Sequence, residues 1–98
     1  MTRYRIELAP EAEADIGDAH TGYRERSATA AEAFKQQVLD AIDSLADTAD
    51  RWPADEQGFR RRLLRRFPYT VHFQVDGDVV TVLAVAHQRH RPGYWRGR

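Results

Sequence analysis

The chain has 98 residues, 42% of them hydrophobic, with 15 Lys/Arg, 15 Asp/Glu and no cysteine. That allows one domain with one compact core over residues 1–98, and it excludes a disulfide framework, a thiolate nucleophile and a cysteine-based zinc site. The formal charge of zero hides two opposite halves: residues 60–98 hold nine arginines against Asp76 and Asp78, a net of +7, whereas residues 1–59 hold six Lys/Arg against thirteen Asp/Glu, a net of −7.

Such asymmetry bears on partners rather than on fold. No apolar run reaches the length of a membrane span, and the start, MTRYRIELAP, lacks the apolar stretch of a signal peptide. A cytoplasmic protein with no membrane partner is therefore expected.

Residues 3–8 alternate, with Tyr4, Ile6 and Leu8 against Arg3, Arg5 and Glu7, which predicts a short strand with one apolar face. Pro10, followed by the acids Glu11, Glu13 and Asp15, opens a helix over roughly 10–25. Its stripe is Ala12, Ile16, Ala19 and Tyr23. Ser27 to Thr29 break the pattern. Thr29-Ala30-Ala31-Glu32 matches a capping box and predicts the start of a second helix, running to about residue 48. Phe34, Val38, Ala41, Ile42 and Leu45 form its apolar stripe, and the two helices make an antiparallel hairpin.

Residues 49–58 read as a loop, with Trp52 plugging the core edge. Phe59–Arg66 reads as a strand whose Leu63 and Leu64 interrupt alternation. In the next strand Tyr69, Val71, Phe73 and Val75 share one face, with Thr70, His72 and Gln74 on the other. Asp76-Gly77 marks a tight turn. The nearly continuous apolar run Val79–Val85 marks a central strand covered on both faces. The order β-α-α-β-β-β predicts an α+β fold, a helix hairpin packed on a small, mostly antiparallel twisted sheet.

The candidate chemistry lies in the last third. Arg60, Arg61, Arg62, Arg65 and Arg66 are read either as charge protecting an edge strand or as a clamp for phosphate or carboxylate. The clamp is favoured because the tail adds Arg89, Arg91, Arg96 and Arg98. His87 ends the central strand, where a side chain reaches a concave surface and can serve acid–base work or phosphate contact. His72 reads as a polar surface residue, and His20 as structural or exposed. Tyr94 and Trp95 either stack on bases or fold back over the sheet as a lid. No histidine/carboxylate spacing suggests a metal site, and no cofactor is expected.

This element order, joined to the stretch Phe67-Pro68-Tyr69-Thr70-Val71-His72-Phe73-Gln74-Val75-Asp76-Gly77-Asp78-Val79-Val80 and then Val82-Leu83-Ala84-Val85-Ala86-His87-Gln88-Arg89, resembles the RelE/ParE superfamily of toxins from bacterial type II toxin–antitoxin systems. The resemblance spans essentially the whole chain. It implies a growth-inhibiting toxin neutralised by a cognate antitoxin. Its RelE-like branch cleaves mRNA on the ribosome with basic residues and a tail tyrosine; its ParE-like branch inhibits DNA gyrase and is not a nuclease.

The RelE-like pattern places an arginine after the tyrosine of the third strand, where this chain has Thr70. That favours the gyrase branch. If the chain is instead a metal-independent nuclease, the residues available for proton transfer and charge stabilisation are Arg66, His87, Arg89 and Tyr94, of which the resemblance matches Arg89 and Tyr94 to the tail arginine and tyrosine of the RelE-like pattern. Arg60, Arg62, Arg65, Arg91, Trp95 and Arg96 are the residues expected to bind target or antitoxin.

Overall fold

A computed structural model describes residues 3–97. It confirms the element order. Strand β1 (Arg5–Leu8) leads into helix α1 (Pro10–Arg24) and helix α2 (Ala28–Thr48); strands β2 (Phe59–Leu63), β3 (Tyr69–Asp76) and β4 (Val79–His87) follow. Single 3-10 turns lie at Ala49–Arg51 and Tyr94–Gly97. Arg98 lies outside the described residues.

Pro10 begins α1 because a first-turn residue needs no amide partner. The helix ends where Arg26 and Ser27 N–H groups both bond the Tyr23 carbonyl. The cap of α2 differs from the sequence expectation. Ser27 has extended backbone and its Oγ accepts from the Ala30 amide at 3.2 Å, so it is the N-cap. Thr29 is already inside the first turn, and Glu32 faces His20 across the hairpin at 3.5 Å.

The sheet order is β1-β4-β3-β2. β1 lies parallel to β4, and the other two pairings are antiparallel. Gly77, with φ of 60°, makes the β3–β4 turn. Pairing passes from His72↔Ala84 to Phe73↔Val82, so Leu83 is left over as a bulge. The bulge explains the apolar run in β4: it lets Val80, Val82 and Val85 all face the helices while Ala84 and Ala86 face the opposite side.

Each face of the sheet carries a core. On one, the α2 stripe Phe34, Val38, Ile42 and Leu45 meets Val71, Phe73 and the β4 valines, and Tyr23 and Phe67 pack at the margin. Phe34 is completely buried, with ring centroids 5.2 to 5.5 Å from Tyr23, Phe67 and Tyr69. On the other, the tail folds back and Trp95 covers Ala84 and Ala86 beside Phe59. The sheet is thus a middle layer, which is why β3 and β4 carry so few exposed residues.

Candidate functional site

Strand alternation decides the fate of the arginine cluster. Arg60 and Arg62 pair with Phe73 and Val71, so they point to the helix face; Phe59, Arg61 and Leu63 pair with Gln74, His72 and Thr70, so they point to the tail face. The helix face needs donors. Arg62 donates to the Ala41 carbonyl at 3.0 Å and to Ser44 Oγ, and its guanidinium lies 5.2 Å from the Trp52 ring centre. Burial, then the neighbouring Arg65, lowers its pKa. Arg60 donates to the Trp52 carbonyl. These two arginines fasten β2 to α2 and to the following loop, and Trp52 is the half-buried plug between them. The guanidiniums of Arg60 and Arg62, both expected in the clamp, are thus already engaged inside the fold.

The tail settles the choice between a stacking platform and a lid. Trp95 is only 6% exposed, so it is not an open anchor. It lies edge-on to Phe59 at 5.1 Å and tilted against His72 at 4.7 Å. Arg96 ties this lid down. It forms an ion pair with Asp55 at 2.7 Å, bonds the Gln57 side chain, and lies over the Phe59 and Trp95 rings. Although desolvation works the other way, the Phe59 and Gln57 amides and then Arg96 hold the Asp55 carboxyl below its usual range. His72, expected at the surface, is half-buried under the lid. Burial first, then Arg61 and Arg96, push its pKa down to about 4 against a weaker pull from Asp15, so it is neutral at pH 7.

Two concavities flank this arrangement. The larger, about 910 Å³, is a groove along β2 between the 52–55 loop and the tail, with Arg61, Leu63, Thr70 and Arg91 on its walls. Leu63 is 54% exposed there, beside an outer strand that the short bridge from Ala54 to Arg60 covers at one end. The smaller, about 420 Å³, lies between α1 and the end of β4, and Tyr23, Arg26, Tyr69, His87, His90 and Tyr94 converge on it.

The expected catalytic set is only partly assembled. His87 and Tyr94 line the smaller cleft, and His90 joins them, with ring centres 6.2 Å from His87 and 4.5 Å from Tyr94. Arg66 and Arg89 are exposed in the connections beside it. The His87 Nδ1 accepts the Arg89 amide at 3.0 Å. In a neutral imidazole that fixes the proton on Nε2, so the ring presents a donor rather than a general base. Thr70 is 7% exposed under the tail, opposite Leu63 and Ala86, so no functional group leaves the surface at that position.

Sequence reading missed Tyr23, Arg26 and Tyr69 as lining residues of the smaller cleft. It also missed Asp15, whose carboxylate accepts the Val85 amide at 2.9 Å where β4 runs beyond β1. Asp15 does carry a signal: it stands three residues after Ala12 and four before Ala19, on the buried stripe of α1. Among the described residues no group of three or more metal-binding side chains comes together, and no helix is long and apolar enough to cross a membrane.

Comparison with known proteins agrees with this architecture. No curated protein matches the chain. A solved structure from a chromosomal ParDE toxin–antitoxin system of P. aeruginosa is similar in fold, with a TM-score of 0.78 and 20% identity, over 87% of this chain and 96% of that one. The family model of the ParE toxin of the type II toxin–antitoxin system, parDE, matches residues 6–92. The chain belongs to the ParE toxin family of type II toxin–antitoxin systems, within the RelE/ParE superfamily, and a cognate antitoxin is the partner that membership implies.

Proposed function

We propose that this toxin arrests growth in the cytoplasm by binding DNA gyrase, without catalysis of its own. The observation that carries this reading is the buried Thr70 at the position where the RNA-cleaving branch has an arginine. A metal-independent ribonuclease must move protons and stabilise a charged phosphorane-like transition state. Here the site lacks that guanidinium, and the bond from the Arg89 amide occupies the one open lone pair of His87. Inhibition by binding needs neither. In a supercoiling assay with purified gyrase, the toxin is expected to block the reaction, and an equimolar amount of its antitoxin to restore it. Full supercoiling at saturating toxin would refute gyrase as target.

The antitoxin is proposed to occupy the β2 groove. The groove combines an exposed apolar residue, Leu63, with Arg61 and Arg91 and an outer strand. Those features suit an extended acidic segment with apolar anchors that orders on binding. Leu63→Asp should weaken the complex by at least tenfold in a calorimetric titration and leave the melting temperature of the free toxin nearly unchanged. An antitoxin complex that touches α1 alone and leaves β2 and the tail open would contradict this placement.

A further inference from the structure

Four arginines of the basic half and two of the acidic half gather, in three dimensions, into a basic pole. Three connections meet at one end of the molecule: the α1–α2 turn, the β2–β3 turn, and the segment after β4. The Gln88 amide bonds the Pro68 carbonyl at 2.8 Å, joining the second to the third. Tyr23 lies 5.2 Å from Phe67, joining the first to the second. Tyr69 and His87, which open β3 and close β4, are paired in register at the same end.

Six arginines project from these connections: Arg24, Arg26, Arg65, Arg66, Arg89 and Arg91. All are exposed, and Glu25 is the one acid among residues 24–27, 64–68 and 88–93. None of the six forms an ion pair among the described residues. By contrast Arg3, Arg5 and Arg96 all have carboxylate partners.

We infer that this pole is a contact surface for the phosphate backbone of double-stranded DNA. Two observations favour a nucleic acid over an acidic protein. The cations are all arginine, in a chain whose single lysine is Lys35 on α2, and guanidinium takes phosphate oxygens in pairs. Also, none of the three connections carries a large exposed apolar residue; Leu63, the nearest, precedes the second and faces the groove. Protein partners draw most of their affinity from desolvated anchors, whereas backbone contacts to DNA require only positioned donors and charge. The area is adequate. Even the shortest extent of the molecule, 22 Å, covers about six base-pair steps at roughly 3.4 Å each. This inference does not rest on the gyrase reading, because it concerns the toxin and DNA alone.

The test is fluorescence anisotropy of a labelled random-sequence duplex titrated with the purified toxin at several salt concentrations. Binding is expected at low salt, with log K falling against log salt at a slope reaching about −5 if all six arginines neutralise phosphates. The pair Arg65→Ala/Arg66→Ala, and separately Arg24→Ala/Arg26→Ala, should each make the slope shallower by about 2 without changing the melting curve. Arg5→Ala, whose side chain pairs with Glu7 on β1, should change nothing.

No binding at low salt would overturn the inference. So would equal weakening by Arg5→Ala, or arginine variants that lose affinity for an acidic antitoxin peptide while DNA affinity is untouched. Gyrase inhibition without duplex binding would also sink it and leave the gyrase reading standing.

Discussion

His72 shows how a single side chain links the tail to the stability of the sheet. Its ring lies under Trp95 and faces Arg61 from β2, Arg96 from the tail and, more weakly, Asp15 from α1. The pKa in the fold, about 4, is below the ordinary 6.5. Between those values the unfolded chain binds a proton that the native chain does not, so stability rises with pH across this window. The contribution is fully present above about pH 6.5 and is lost as pH falls toward 4. Urea unfolding at pH 7.5 and 5 should therefore show a steeper loss for the native sequence than for His72→Gln, and identical pH slopes would contradict the assignment.

Arg62 makes a second case at this scale. Arg62→Ala removes the guanidinium that donates to both the Ala41 carbonyl and Ser44 Oγ, leaving them only the bond from the Ser44 hydroxyl to that carbonyl. It should cost about 1–3 kcal/mol in chemical denaturation. A cost near zero would mean that Arg62 is surface charge after all.

At the scale of elements, α2 and the tail hold opposite faces of one sheet. Phe34→Ala removes a ring packed against three others and should cost about 3–5 kcal/mol, a large share of the stability of a domain this size. Trp95→Ala should expose Ala84, Ala86 and Phe59 and cost a comparable amount. Hydrogen exchange would then quicken at the 55–59 loop as well, because Arg96 loses its footing beside Asp55.

The element order, the buried stripe of α2, the central place of β4 and the Asp76-Gly77 turn were all legible in the sequence, because each follows from local periodicity or turn chemistry. The cap was misplaced by two residues, since Ser27 and Thr29 are both capping residues and only the extended backbone at Ser27 decides between them. The internal roles of the β2 arginines were hidden for a different reason. Arg60, Arg62 and Leu64 share the buried face, and a run of arginine gives no hint that one will serve an α2 carbonyl and another the Trp52 carbonyl of the following loop. Nor does sequence show that the tail covers the second face, because the contact between His72 and Trp95 spans residues far apart in the chain.

For the whole molecule, the proposed antitoxin groove along β2 lies beside a pole of six arginines that form no ion pair among the described residues. Association with the antitoxin should weaken as salt rises, because Arg61 and Arg91 lie at a solvent-facing rim. The central claim is that this toxin works by binding gyrase rather than by cutting RNA, and Tyr94→Phe tests it most directly. The substitution removes the tail's one phenol and keeps the ring against His90. Purified toxin should block gyrase supercoiling equally well with and without the substitution, and should leave ribosome-bound mRNA intact. Cleavage of ribosome-bound mRNA by the native chain, abolished by Tyr94→Phe, would contradict the account.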